Sequence, residues 1–226
     1  MSCGVVDPPL KAWALAKPDV LVIEYHTWWP FVGDPFYQAN EAEARDRVFY
    51  YNIVTLPSIQ FDGTHSPPLL DPASYESLYQ QRKALASSAL IEFGGSYDAS
   101  TRSGEVTATV TTESSLPGDW RLRIAIIESS IDLPAPNGIL THDDIFRRFV
   151  PDHQGTAIRL SGPLLDPVVV TRVFQLDSSW EVSNIKLVAL LQQEDSHEIE
   201  QNVQIGIDEL VPVEPTTWGS IKASFR

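Results

Sequence analysis

The sequence predicts an α/β unit over residues 1–87, an antiparallel β-sandwich over 88–211 and a separate tail over 212–226. Three observations predict it. Apolar runs at 20–26 and 53–61 flank a helical stretch at 40–51, and strands alternating with helices build α/β layers. From Leu90 onward the pattern changes to period-two runs separated by turn residues, the pattern of a sandwich. The chain has 226 residues, 43% hydrophobic and 20% charged, a globular composition long enough for one large or two ordinary domains.

Taken in order, residues 10–16 read as a helix, with Pro8 and Pro9 near its start, where a missing N–H costs little. Residues 20–26 run Val-Leu-Val-Ile-Glu-Tyr-His behind Pro18-Asp19 and read as a strand buried on both faces, as in a helix-covered parallel sheet. A Trp/Pro/Gly-rich loop covers 27–37. Asn40 is placed to cap the next helix, with Glu41 and Glu43 in its first turn, where the helix dipole favours negative charge. Ala44, Val48 and Tyr51 recur at helical spacing and would face the sheet. The 53–61 run is entered as a strand at Pro57, a position that needs no ladder donor. It ends at Asp62-Gly63, the dipeptide of a type I′ hairpin turn. An exposed connection at 64–68 leads to Asp71 as N-cap, Pro72 at N1 and a helix to about residue 85.

Residues 86–89 mark a boundary. Beyond it, 105–111 and 120–127 alternate, with Leu122, Ile124 and Ile126 on one face. Runs at 168–176, 185–192 and 199–207 bring the total to about seven strands. The piece from 129 to 165 reads as irregular, with a short helix at 143–149 capped by Thr141 or Asp143, and with Arg147 or Arg148 pairing with the acids. In the tail, Trp218, Ile221 and Phe225 share a helical face beside basic residues, consistent with a docking peptide or a frayed end.

Composition excludes several classes. A net charge of −14 argues against a nucleic-acid partner, whose phosphates are held by Lys and Arg. No stretch has the length and apolarity of a membrane span, and the first nine residues lack a signal-peptide pattern. The single Cys3 allows no intrachain disulfide. No cofactor is predicted.

The order strand, helix, Pro-led strand, hairpin, helix resembles the second half of a thioredoxin-like domain. That resemblance implies a cis Pro57 facing a redox dithiol; an ordinary trans Pro opening an edge strand is the alternative. It also implies a strand and a Cys-x-x-Cys ahead of the 10–16 helix. Cys3 stands where the second, resolving Cys falls. The expectation is then that the first strand and first Cys lie upstream, with Met1 and Ser2 completing a Cys-Met-Ser-Cys motif. At a helix N-terminus the Cys3 pKa is expected to be lowered.

More of the chain resembles one family. The pieces are 22–26, Gly33-Asp34-Pro35-Phe36, Arg45 with Tyr50-Tyr51, Leu56-Pro57 through Asp62-Gly63, residues 125–128 and 142–147, and Trp180 through Asn184 to 189–192. Their order and spacing are similar to the Omp-twenty-eight-related outer-membrane protein family, a thioredoxin-like domain followed by a β-sandwich. The resemblance implies an extracytoplasmic protein, periplasmic, outer-membrane-associated or secreted, without a settled activity.

Other candidates follow from residue type. His26, Asp34, His65 and Asp62, or His142-Asp143-Asp144 with His153, carry ligand chemistry but no regular metal-ligand spacing; no metal is predicted, and local structural roles are expected. Trp28, Trp29 and Phe31 form a dense aromatic loop patch, suited to binding a protein or peptide partner or to packing beside the Pro57 loop. Two functions remain. One is a redox-inactive binding or scaffolding protein whose contact surfaces are the loop aromatics and the long 129–165 connection, with Leu56 and Pro57 as the segment that would hold a substrate or partner backbone. The other is a thiol–disulfide oxidoreductase whose motif is truncated at Met1; with one thiol, this chain has no dithiol turnover.

Overall fold

The computed structural model describes residues 3–161 and 166–212; the tail with Trp218, Ile221 and Phe225 lies outside them. Helices α1 (Cys3–Leu15), α2 (Pro35–Ala39), α3 (Glu41–Tyr50) and α4 (Pro72–Lys83) come first. The strands follow: β1 (Ala89–Asp98), β2 (Ser103–Thr112), β3 (Leu116–Glu128), β4 (Ile131–Asp132), β5 (Thr141–His142), β6 (Ile145–Val150), β7 (Thr156–Leu160), β8 (Val168–Gln175), β9 (Ile185–Gln193), β10 (Ile199–Gly206) and β11 (Val211–Pro212). The protein is mostly sheet with few helices.

Two sheets face each other. One runs β11-β1-β2-β8; the other runs β10-β9-β3-β6, with β7 also paired to β3. The alternation read from the sequence holds: Leu122, Ile124 and Ile126 of β3 enter the core between the sheets, with Leu187, Ala189 and Leu191 of β9. The opposite face of these two strands is apolar as well. Ala125, Ile127, Val188 and Leu190 join Phe146 and Phe149 in a second core. Leu21, Ile23 and Tyr25 cover it from outside. Strands buried on both faces lose their polar alternation, which explains the near-continuous apolar runs at 124–127 and 187–191.

The predicted helix at 143–149 is strand β6 instead. Its register against β3 jumps from Ile126↔Arg148 to Ile127↔Phe146. That bulge leaves Arg147 as the extra residue and sends Phe146 and Phe149 into one core. An apolar pair three residues apart mimics a helix here. Asp143 therefore caps no helix; its Oδ1 accepts the Ser130 N–H at 2.9 Å. Arg147 pairs not with Asp143 or Asp144 but with Glu128 of β3, at 2.7 Å.

The parallel sheet predicted from 20–26 and 53–61 is not formed among the described residues. Residues 20–26 are half-buried rather than fully buried. Their ladder is a single parallel bridge between Glu24 and Ile145, made by Glu24 N to Asp144 O (2.8 Å) and Phe146 N to Glu24 O (3.0 Å). A strand needs a neighbour along its length, and these segments have none. The Asp62-Gly63 turn is present, with φ of 45° and 77°, but it closes only the Phe61↔His65 bridge. A Cβ on Gly63 would meet the His197 carbonyl, so glycine is required there twice over.

The helices follow their caps. Asn40 Oδ1 accepts the Glu43 N–H (3.5 Å) at the start of α3. Asp71 Oδ1 accepts those of Ala73 and Ser74 at the start of α4. Helix α1 starts at Cys3, well before the predicted residue 10, so Pro8 and Pro9 fall inside it. Each removes one helical donor; burial of Val6 and Ala14 and the Lys11–Asp7 pair one turn apart at 2.9 Å oppose that loss.

Candidate binding cleft

A cleft of about 750 Å³ separates α1 and the 19–25 segment from the 56–63 segment, the end of α4 and the start of β10. Its walls hold Cys3, Val6 and Leu10 from α1, Leu21 and Ile23, then Leu56, Pro57, Ile59 and Phe61. The structure thus brings Cys3, Leu56 and Pro57 to one cavity, and the Leu56-Pro57 bond is cis.

The two extended walls share one property. The backbone groups of Leu21, Val22, Ile23, Ser58, Ile59 and Gln60 have no hydrogen-bond partner among the described residues. Protein backbone out of water is almost always paired. Two unpaired edges along one cleft are therefore open to a third chain.

Cys3 does not have the predicted low pKa. Burial pushes the thiol up, and the carboxylates of Glu24, Asp7 and Asp34 push it further. Burial and this acidic surrounding outweigh the effect of the α1 N-terminus and disfavour thiolate chemistry.

Beside Cys3 lies a charge network that joins His26 and Asp34, both noted in the sequence, to Glu24 and Lys11, which were not. His26 Nδ1 is 2.8 Å from Asp34 Oδ2, and its Nε2 is 3.3 Å from Glu24 Oε1. Burial opposes the imidazolium, but the two carboxylates win and raise its pKa to about 9. Burial likewise acts against the Glu24 and Asp34 charges, and His26 holds both carboxyls below their usual range. Lys11 adds a second cation, 3.4 Å from Glu24. The signal was the Glu-x-His spacing, which puts both side chains on one side of an extended segment.

The aromatic loop sits elsewhere. Trp28 packs on Trp29 (4.4 Å between centroids), Tyr37 and Phe49, with Arg45 over its ring. None of Trp28, Trp29 and Phe31 lines the cleft, and Phe31 is 59% exposed.

Of the metal candidates, His26 and Asp34 come together as a pair, and the others lie apart. Asp62 pairs with Arg82 at 2.7 Å, while His65 Nδ1 is 2.7 Å from Thr64 Oγ1. His142 is buried with Nε2 on the Leu133 carbonyl, Asp144 bonds Ser129, and His153 faces Asp46 at 3.0 Å. Among the described residues, no three His, Cys, Asp or Glu side chains are grouped to hold a metal ion, and no helix is long and apolar enough to cross a membrane.

No family model and no curated protein matches the chain. Among solved structures, a domain of the outer membrane lipoprotein Omp28 from Porphyromonas gingivalis is similar at TM-score 0.40 and 14% identity, covering 57% of this chain and 93% of that one. An alkylpurine DNA glycosylase, AlkC, from Pseudomonas fluorescens matches at TM-score 0.29 and 8% identity, over 62% of this chain and 34% of its own. A β-glucosidase from Listeria innocua reaches 0.29 and 10%, over 54% and 16%. Likeness this distant carries no functional assignment.

Proposed function

We propose that the chain is a redox-inactive binding protein, related to thioredoxin-like proteins, that holds an extended apolar peptide in the cleft between residues 20–25 and 56–61. The observation that carries it is the pair of unpaired backbone edges on one apolar cavity. A peptide laid between them would add a strand, gaining main-chain hydrogen bonds while its alternate side chains enter the walls. The oxidoreductase reading is weaker, because the chain's single thiol is surrounded by carboxylates. An extracytoplasmic setting rests on the sequence resemblance alone.

Amide hydrogen exchange tests this. Leu21, Val22, Ile23, Ile59 and Gln60 should exchange quickly in the free protein and become protected at least tenfold on adding an apolar strand-forming peptide. Protection appearing only around Trp28 and Phe31, or none with any peptide of a varied apolar set, would overturn the proposal.

A further inference from the structure

The cleft wall also contains Arg47, with Val48 and Tyr51 of the same helical turn region. Arg47 is 3% exposed. Its Nη2 donates to Tyr51 Oη at 2.6 Å and to Gln192 Oε1 at 3.3 Å, and its Nε has no acceptor. The guanidinium lies over the rings of Tyr50 (4.4 Å) and Tyr51 (4.5 Å). Other arginines of this region pair with acids: Arg82 with Asp62 and Glu198, Arg123 with Glu194, Arg147 with Glu128. Arg47 has no ion pair among the described residues. A buried cation with rings but no anion is an uncommon arrangement, because ring contacts replace little of its lost hydration.

The other cations on the cleft are already matched: Lys11 by Asp7 and Glu24, Lys83 by Asp19. One positive charge is left over, and it is deep. Acidic side chains along a bound strand would meet the carboxylates of Glu24, Asp62 and Glu198 on the walls. A chain end reaches a buried spot more readily than a mid-strand side chain.

We infer that Arg47, with the Tyr51 hydroxyl, forms a subsite for the C-terminal carboxylate of the bound apolar peptide. This rests on the cleft being the peptide site. The free Nε and the tyrosine hydroxyl supply charge-assisted hydrogen bonds to a planar carboxylate.

The test varies the ligand. Three N-terminally fluorescein-labelled peptides of about seven residues alternating valine and serine are compared by anisotropy at pH 7 with the full chain. One ends in a free carboxylate, one in an amide, and one in an amide with an internal glutamate. The free acid should bind about tenfold or more tighter than either amide. Equal binding of acid and plain amide overturns the carboxylate subsite and leaves the cleft reading in place. Equal binding of the acid and the glutamate amide overturns the assignment to a chain end. Failure of all three overturns the cleft reading, and the subsite with it. Arg47→Lys and Arg47→Met, checked for an unchanged near-ultraviolet spectrum, should abolish the acid preference; its persistence in a folded Arg47→Met protein also overturns the subsite.

Discussion

The two parts of the molecule bury apolar surface differently. In the sandwich, every second residue of long paired strands enters one core, and Leu122, Ile124, Leu187 and Leu191 are at most 1% exposed. In residues 3–88 the buried apolar residues are scattered, and Leu21, Ile23 and Tyr25 are only half-buried. The N-terminal part is bound to the sandwich by a few backbone bonds at Glu24 and Asp62 and by side chains: Arg47 to Gln192, Tyr50 to Glu194, Arg82 to Glu198 and Asn40 to the Arg147 carbonyl. The difference teaches that one chain can carry a self-sufficient core and, on its outer face, a layer whose order depends on that core.

Truncation at matched chemistry should expose that difference most strongly. Leu187→Ala removes a fully buried side chain from the inter-sheet core and should cost about 4 kcal/mol. Ile23→Ala, on the half-buried outer layer, should cost about 1–2 kcal/mol. Urea titrations of both variants measure it. Equal costs would mean that the outer layer is as tightly packed as the sandwich and would break the comparison.

The next effect belongs to the buried charges. His26→Gln leaves Glu24 and Asp34 without their shared cation and should destabilise by about 2–3 kcal/mol, somewhat less than a fully buried pair because the side chain keeps some exposure. The pH dependence has a definite sign. The raised His26 pKa contributes stability that is complete below 6.5 and is lost as pH rises through about 9. The lowered carboxyls contribute above their ordinary values of 4.5 and 3.8 and lose it on acidification. The network is therefore worth most between about pH 4.5 and 6.5. In the His26→Gln protein the loss of stability between pH 6.5 and 9 should flatten; an unchanged profile would place the titration elsewhere.

Legibility followed the same division. Strands β3 and β9 were readable because their period-two pattern reports a core they make with each other. Helices α3 and α4 were readable from Asn40 and Asp71, whose capping is local. The 20–26 run looked like a strand because apolar β-branched residues suit a sheet, yet its partner surface is the outer face of another sheet. Helix α2 is only five residues, set by the Asp34 cap and Pro35, and disappeared into a loop rich in turn residues. Cys3, Leu56 and Pro57 were picked out and do share the cleft. Arg47 was not, although an arginine three and four residues ahead of Tyr50 and Tyr51 places all three on one helical side. Its missing counter-charge is a tertiary fact that no local pattern encodes.

The smallest effect tests the join between the parts. Asn40 does three things: Oδ1 caps α3 through the Glu43 N–H, and Nδ2 donates to the Arg147 carbonyl at 3.0 Å and to Glu43 Oε2 at 2.5 Å. Serine keeps a capping oxygen and lacks the amide donor. Asn40→Ser should therefore cost about 1–2 kcal/mol, for the bonds to the Arg147 carbonyl and the Glu43 carboxylate, and Asn40→Ala about 1 kcal/mol more, adding the cap. The Arg147 carbonyl belongs to the bulge in β6, where no ladder donor is available to replace the lost partner. Exchange of the α3 amides should thus accelerate in both variants, while that of β9 stays unchanged. If Asn40→Ser matches the parent in stability and in α3 exchange, this contact across the join contributes nothing, and the outer layer is held by its apolar face, its backbone bonds at Glu24 and Asp62 and its other side-chain contacts.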